Sequence, residues 1–410
     1  MSEFVAGWPL LLFAPFAIGF ALLYRFLAQQ ELARVVAGAE EPAEWPPVSV
    51  VIAVRDEEEA IESCVRSLLA LDYPKLEVVV VNDRSTDRTA EILAGLAASD
   101  ARLVLGSVDT LPHGWLGKNH ALWRGTALAT GERIVFTDGD VVFQPRTLRR
   151  VVRYFEQESL DHFTLLPRTI AHSWAEAATL SLFAALGLSG ARVWDVSHPR
   201  RSAAVGVGAF SMVRASVYRR AGGHVPLALE VVDDIRLGEW MKGWGRTGVC
   251  VGFDEISLRW LPGVSGFIRG TEKNAFAGMF FSVPLAAVAI ALPIAVFVLP
   301  WFALPFVGAT WANVAVGGWL GMHLLFAGLV RRLKFPLSAT LGLSLAAVIL
   351  TTALANAVAK TLWRGGIVWR GRRYPLPQLR VAQRRLRGRI RSRRRRRAAA
   401  MARTRTLSSA

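Results

Sequence analysis

Cysteine is scarce in this chain of 410 residues, which contains Cys64 and Cys250 and no others. Two cysteines cannot build the disulfide framework of a small secreted domain, and no group of Cys and His residues has the spacing of a zinc site. Acidic residues are also in the minority, with 32 Asp and Glu against 49 Lys and Arg. Ten of the fourteen residues from Arg384 to Arg397 are arginine, so the net charge of +17 says little about an active region.

Apolar residues are abundant instead, at 52% of the chain, which is too many for an ordinary soluble protein of this length. The run Trp8–Ala28 is long enough to span a bilayer. It has neither the basic start nor the small-residue cleavage site of a signal peptide. We therefore predict a retained transmembrane anchor over residues 1–30, followed by a linker over residues 31–47.

A second apolar zone covers residues 277–360. Its predicted spans are Gly278–Pro300, Pro305–Leu329 and Leu337–Ala359. One anchor before a cytoplasmic domain and three spans after it would place the basic tail, residues 361–410, outside, against the positive-inside rule. The basic charge of the tail is a stronger indicator of topology than the predicted number of spans, so we place the tail in the cytoplasm. The prediction is a multi-pass protein of the inner cell membrane with a cytoplasmic catalytic domain and tail.

Two interpretations of the basic tail stay open. It is either a disordered, solvated charge run or a segment that contacts anionic lipid head groups. Nucleic acid is not a predicted partner, and the sequence does not identify a protein partner.

Residues 48–276 have the pattern of one globular domain. Short apolar runs such as "VSVVIAV", "LEVVVVND" and "RIVFTD" alternate with amphipathic helical patterns. Such runs are typical of parallel strands covered on both faces. The alternation predicts an α/β fold with a doubly wound, mostly parallel sheet. Ligands bind such sheets at the carboxyl ends of the strands, where Asp83 and Asp138 fall.

Three acidic motifs could carry chemistry. Asp138 and Asp140 in "TDGDV" could face one hard cation whose shell is completed by phosphate oxygens, or could form a simple turn. Asp233 and Asp234 in "VVDDIRL" could supply a general base, or could stabilise a helix N-terminus. Asp83 in "VNDRSTDRT" could contact a ligand, or could form a turn with Ser85 capping the next helix.

Basic residues accompany these acids. Lys118, after a glycine at a helix start, could reach a nucleotide or its phosphates, or could be an ordinary surface lysine. Arg269 and Lys273 lie one helical turn apart and would suit a leaving diphosphate, or could anchor a membrane span at its interface. His120 has no partner at ligand spacing and is predicted to be structural.

The order of these motifs on one strand–helix domain resembles the family 2 glycosyltransferases of GT-A fold, over about residues 48–274. The chain resembles bacterial membrane enzymes that glycosylate lipids, including ceramide-type, carotenoid and hopanoid-associated members. The resemblance implies nucleotide contacts from Ala53, Glu57, Asp83 and Lys118, a divalent metal (Mn²⁺ or Mg²⁺) on Asp138 and Asp140, a catalytic base at Asp234 and its preceding acid at Asp233.

The implied function is transfer of a hexose from a nucleotide-diphospho-sugar, with UDP favoured, to a lipid hydroxyl with inversion. Many relatives carry Q-x-x-R-W before the first C-terminal span, whereas this chain has "RGTEKN", which favours a single transfer over processive synthesis. Alternatives are a polyprenyl-phosphate sugar transferase and an inactive membrane scaffold that binds nucleotide sugars. The apolar segment His172–Trp194 is predicted either to lie on the membrane surface and admit the lipid or to be a buried helix.

Overall fold

The computed structural model describes residues 2–38, 40–303 and 309–408, which form two compact units. The sheet unit comprises Gln30–Arg168, Asp195–Leu258 and Val381–Ala410. The helical unit comprises Met1–Gln29, Thr169–Trp194 and Arg259–Arg380. Each unit is therefore assembled from segments that are distant in the sequence.

The main sheet has the order β3-β2-β1-β4-β7-β6-β8-β5. Its strands are β1 (Val48–Val54), β2 (Leu76–Asn82), β3 (Leu103–Ser107), β4 (Arg133–Thr137), β5 (Val142–Phe143), β6 (His162–Thr169), β7 (Ser211–Arg214) and β8 (Thr247–Leu258). Strands β3, β2, β1 and β4 pair in parallel, whereas β7 pairs antiparallel with both β4 and β6, and β5 pairs antiparallel with β8. This confirms the predicted α/β sheet with its parallel half in the first part of the domain.

Helices of the sheet unit cover these strands. They are α2 (Leu32–Val35), α3 (Ile61–Leu69), α4 (Thr89–Ser99), α5 (Gly117–Leu128), α6 (Thr147–Gln157), α8 (Ala215–Arg220), α9 (Asp233–Met241) and most of α15 (Leu376–Ser408). Helix α5 lies close against β1 and β2, because a Cβ at Gly125 would come within 2.5 Å of the Val51 side chain. The central strands are consequently buried along most of their length, as their uninterrupted Val and Ile runs predict.

The chain reverses its direction across the sheet at β1. It proceeds from β1 to β2 and β3 on one side, and then returns to place β4 on the other side of β1. The crevice at such a switch point is where open α/β sheets bind ligands. Asp83 and Asp138 each follow a strand next to this point.

The predicted hydroxyl cap of α4 is wrong. The Ser85 Oγ accepts from the Asp56 amide at 3.1 Å, and the Thr89 Oγ1 accepts from the Glu57 amide at 2.9 Å. It is the Asp87 carboxylate that accepts from the Thr89 amide, at 3.0 Å. The hydroxyls therefore tie the loop after β1 to the loop after β2, which neither strand's own sequence could indicate.

From Leu376 to Ser408 the basic tail is a helix rather than a disordered segment. Within α15, Leu386 and Ile390 are buried in the same apolar cluster as Leu237, Trp240 and Met241. This helix is thereby fixed to the sheet unit alongside α9.

The helical unit contains long apolar helices and a small hairpin. Its elements are α1 (Ser2–Gln29), α7 (Trp174–Gly190), α10 (Gly263–Gly278), α11 (Val283–Phe297), α12 (Leu299–Ala303), α13 (Ala309–Arg332), α14 (Leu343–Trp363), β9 (Gly366–Trp369) and β10 (Arg372–Pro375). Buried Glu176 joins the start of α7 to that of α10, since its carboxylate accepts from the amides of His172 and Gly263 at 2.9 and 3.2 Å.

Two helical stretches in the described part of the chain are long and apolar enough to cross a membrane, Trp174–Asp195 and Leu337–Trp363. The second coincides with a predicted span, and the first is the segment predicted to be interfacial or buried. Phe13–Gln29 and Val283–Phe297, in two other predicted spans, are shorter apolar helices. The start of the span predicted at Pro305 lies outside the described residues.

We expect Leu386→Ala to release α15 from the sheet unit. Leu386 is 1% exposed, and truncation of a buried leucine costs about 2–5 kcal/mol. Because a tenfold change in an equilibrium corresponds to about 1.4 kcal/mol, native-state trypsin cleavage within 384–397 should accelerate at least tenfold. Val381→Ala, at a position 45% exposed on the same helix, should change cleavage less than about twofold. Equal cleavage of both variants would contradict the docking of this helix.

Candidate active site

Asp83 is held firmly at the carboxyl end of β2. Its amide donates to the Val54 carbonyl at the end of β1 at 2.8 Å. Its Oδ1 accepts from both Nε and Nη2 of Arg84 at 2.8 Å, and the residue is only 3% exposed. Gly117 approaches from α5 so closely that a Cβ there would lie 2.2 Å from the Asp83 Oδ2. Only glycine at position 117 leaves room for this carboxylate.

Lys118, in the first turn of α5, joins two acidic motifs that are about one hundred residues apart. Its Nζ lies 2.7 Å from the Asp138 Oδ1 and 3.6 Å from the Asp233 Oδ2. Burial lowers the pKa of Lys118, but the negative charges of Asp138, Asp233 and Asp234 outweigh burial and raise it overall. The protonated amine therefore holds the end of β4 to the start of α9.

Gly208 brings Asp234 to the same cluster. The Gly208 amide donates to the Asp234 Oδ2 at 2.8 Å, and the Ile235 amide donates to the Asp234 Oδ1 at 2.8 Å. On the other side, a Cβ at position 208 would lie 2.3 Å from the Asp138 Oδ2. Gly208 thus contacts both aspartates, and its lack of a side chain leaves room for Asp138.

Two of these carboxylates have raised pKa values. Burial, then the charges of Asp138 and Glu57, raise the pKa of Asp140 to about 6. Burial, then the charge of Asp233, raise the pKa of Asp234 to about 6. Because each acid binds its proton more tightly in the folded chain than in the unfolded chain, the stability that it contributes falls as pH rises through about 6. At neutral pH the site therefore contains mutually repelling anions.

The chemistry of Asp138 and Asp140 fits a divalent cation. Carboxylate oxygens are the ligands that Mg²⁺ and Mn²⁺ prefer. The charges of Asp138 and Glu57 add to burial in raising the pKa of Asp140, and such an ion would offset those charges. Among the described residues no group of three or more His, Cys, Asp or Glu side chains could hold a metal. The protein would therefore supply two carboxylates and the substrate phosphates the remaining oxygens, as at many Mg²⁺ sites.

The other predicted residues take different places. Glu57 lies near enough to Asp140 for its charge to act on that group's pKa. Ala53 packs against the apolar core of the sheet unit. Arg269 and Lys273 lie on α10 in the helical unit, where Arg269 Nη2 is 3.4 Å from Ser265 Oγ and Lys273 Nζ is 4.1 Å from the centre of the Trp369 ring.

His120 is structural, as predicted. Its ring lies against those of Trp115 and Trp123, with centroids 5.4 and 5.7 Å away.

Sequence reasoning missed residues that position the site. Asn119 is buried, and its Nδ2 donates to the carbonyls of Leu227 and Glu230 at 2.6 and 2.9 Å. These bonds fix the loop before α9, and so Asp233 and Asp234, relative to α5. The glycines of "GVG" (206–208) were a visible signal, whereas nothing in the sequence marks Asn119 or Arg84 for these contacts.

A profile of the family described as "Glycosyltransferase like family 2" matches residues 46–252, just over half of the chain. Two Staphylococcus aureus proteins named 4,4'-diaponeurosporenoate glycosyltransferase are similar. The protein from strain bovine RF122 / ET3-1 is 24% identical over 247 residues, 57% of this chain and 64% of its own length. The protein from strain USA300 is 25% identical over 249 residues, which cover 60% of this chain and 65% of its own length. The chain thus matches less than two thirds of the length of these relatives.

Solved structures also align with the chain. A mannosyltransferase from Pyrobaculum calidifontis, in complex with GDP-Man and Mn²⁺, aligns at a TM-score of 0.48 and 21% identity over 86% of this chain and 99% of its own. Residues 1–349 of TarS from S. aureus, in complex with UDP-GlcNAc, align at a TM-score of 0.38 and 14% identity over 80% of this chain and 95% of their own length.

We expect Gly208→Ala to destabilise the sheet unit by about 1–3 kcal/mol, because the new methyl group must displace the Asp138 carboxylate. Gly95→Ala, on α4 with open space around it, should instead stabilise the unit by up to about 1 kcal/mol. Thermal unfolding of both variants measures these effects. The penalty of Gly208→Ala should shrink in an Asp138→Ala background, and an undiminished penalty would place the clash elsewhere.

Proposed function

The chain belongs to glycosyltransferase family 2, and on this premise we propose that it is a membrane enzyme that moves a sugar from a nucleotide-diphospho-sugar to a lipid hydroxyl. One observation carries the proposal. Lys118 and Gly208 bring the strand-end Asp138 together with Asp233 and Asp234 at the switch point of the sheet. A donor-binding group and a proton acceptor thereby meet in one crevice.

The donor half of the site is formed by the loops after β2 and β4. Asp83 would contact the nucleotide, with UDP as the favoured carrier, and its rigid setting by Arg84 and the Val54 carbonyl supports this role. Asp138 and Asp140 would hold Mn²⁺ or Mg²⁺, which supplies positive charge to the diphosphate when bound. Lys118 would add a fixed positive charge beside them.

Asp234 is the proposed general base. Two backbone amides hold its carboxylate in one orientation, and a pKa of about 6 makes it a stronger base than an ordinary aspartate while leaving it ionised at neutral pH. As the acceptor oxygen bonds to the anomeric carbon, its proton passes to Asp234. The bond from that carbon to the diphosphate breaks, and the nucleoside diphosphate leaves with the electron pair. Attack opposite the leaving group inverts the anomeric configuration.

Arg269 and Lys273 are proposed to stabilise the departing diphosphate. Their support is chemical, because guanidinium and ammonium groups bind phosphate oxygens strongly. They lie one turn apart on α10, which leaves both able to face the same anion.

A lipid acceptor is supported by the surface of the helical unit. Large apolar side chains are exposed along its helices, including Val316, Leu320 and Leu324 at four-residue intervals on α13 and Trp363 at the end of α14. Exposed apolar surface of this extent is typical of membrane contact. The curated relatives are named for 4,4'-diaponeurosporenoate, a carotenoid-type compound, which is consistent with an apolar acceptor. An inner-membrane, multi-pass location with the catalytic domain in the cytoplasm belongs to the same proposal.

We expect Asp234→Asn to reduce transfer to a lipid hydroxyl by about 10²–10⁴-fold, because the amide cannot accept the proton. Binding of the nucleotide should stay within about threefold of wild type, since Asp234 is not among the residues proposed to hold the nucleotide or the metal. The wild-type rate should rise with pH through about 6, as Asp234 loses its proton. Radiolabelled sugar transfer to a lipid extract, measured from pH 5 to pH 8, checks the rate and its pH dependence, and titration of the variant with the nucleotide checks binding.

Asp254→Asn provides a matched control, because Asp254 is exposed on β8. It should leave transfer unchanged. Retained turnover by Asp234→Asn would refute the base and favour a phosphate acceptor, such as a polyprenyl phosphate, which needs no strong base.

A further inference from the structure

Helix α15 has two opposite faces within residues 383–397. Its inward residues recur at intervals of three and four and are Gln383, Leu386, Ile390, Arg393 and Arg397. At about 100° per residue these positions form one stripe along the helix. The apolar pair packs with Trp240 and Met241 of α9, as described above.

Even the inward arginines have specific partners. The Arg393 guanidinium lies 3.8 Å from the centre of the Trp244 ring, and Arg397 donates to the carbonyls of Lys242 and Gly245. These contacts set the rotation of the helix about its own axis.

The opposite face carries exposed arginines in two lines along the helix, since at about 100° per residue Arg384, Arg391 and Arg395 fall near one line and Arg385, Arg389 and Arg396 near another. Its members, the arginine face, are Arg384, Arg385, Arg389, Arg391, Arg395 and Arg396. No Asp or Glu occurs anywhere between Leu376 and Ser408, so the helix contributes no acid of its own to neutralise this face. The docking of the other stripe holds the six side chains on one side of the molecule.

The chemistry of this face favours a lipid surface over single-stranded nucleic acid. Single-stranded nucleic acid is commonly bound by basic residues interleaved with aromatic side chains on which bases stack. Residues 381–399 contain no aromatic residue at all. A helix surface covered with guanidinium groups instead complements a plane of phosphate head groups, to which arginine can donate two parallel hydrogen bonds. The chain also contains a helix long and apolar enough to cross a membrane shortly before α15, Leu337–Trp363.

We propose that the arginine face of α15 is a binding surface for anionic phospholipid. The docked stripe fixes the helix to the sheet unit beside α9, so that the bound lipid surface contacts the unit that contains the donor site. The proposal does not depend on the identity of donor or acceptor, and its test requires no catalysis.

The test uses the full chain in dodecyl maltoside, titrated with mixed micelles that contain phosphatidylglycerol or phosphatidylcholine, with binding followed by thermophoresis. Wild type should bind phosphatidylglycerol at least tenfold more tightly than phosphatidylcholine. Replacing Arg384, Arg385, Arg389 and Arg391 together by Gln should weaken phosphatidylglycerol binding at least tenfold. The same four changed to Lys should largely retain it, because the charge is kept.

A matched control replaces four exposed arginines elsewhere on the sheet unit, Arg66, Arg146, Arg219 and Arg220, by Gln. It should leave lipid binding within about twofold of wild type. Equal loss in the control, or no loss in the arginine-face variant, would overturn the proposal. Tighter binding of inorganic phosphate or of a DNA duplex than of phosphatidylglycerol, at equal phosphate concentration, would overturn it in favour of a soluble ligand.

Discussion

The site depends on one partly buried ion cluster, in which Lys118 lies between Asp138 and Asp233. Without a positive charge at that point, four aspartates from two motifs would repel one another in a partly buried crevice. Removing one partner of such a cluster is costly because it leaves the others uncompensated. The lysine therefore has a structural role that precedes any catalytic one, since it joins the end of β4 to the start of α9 before a substrate arrives. Burial first, and the neighbouring carboxylates second, raise the pKa values of Asp140 and Asp234, and a divalent ion bound there would offset the negative charge of those neighbours.

The second constraint is that the backbone must come close to the aspartate side chains, which glycine allows at two positions. Gly117 makes room for the Asp83 carboxylate, and Gly208 passes between Asp138 and Asp234. Asn119 adds the hydrogen bonds that fix the loop before α9. Two glycines and an asparagine, all uncharged, thus determine how closely the charged side chains of the site approach one another. The same division applies to α15, where two aliphatic residues fix a helix whose arginines face outwards.

The parallel part of the sheet and the edge that carries the site could be predicted from the sequence. Parallel strands appear in it as unbroken apolar runs, and their carboxyl ends must meet at one edge. The positions of Asp83 and Asp138 follow from this edge alone, without knowledge of any contact. Asn119 and Arg84 could not be found in this way, because their contacts depend on the geometry of loops rather than on periodicity. The docking of α15 was missed for another reason. Leu386 and Ile390 have helical spacing, but the surrounding arginines suggest a solvated run, and only the groove beside α9 gives the two apolar residues a place to pack. The use of Ser85 and Thr89 to join two loops, rather than to cap α4, was likewise invisible because their partners lie about thirty residues away.

The most direct test of the central claim is equilibrium binding of UDP, GDP, CMP and ADP to the purified full chain, with and without Mn²⁺, for wild type, Asp140→Ala and the exposed-site control Asp254→Ala. We predict that one diphosphate nucleotide binds in a manganese-dependent manner, that Asp140→Ala weakens this binding at least tenfold, and that Asp254→Ala does not. Failure of well-folded wild-type protein to bind any of the four nucleotides would contradict the proposed donor site, because the carboxylate cluster would then have no donor to hold.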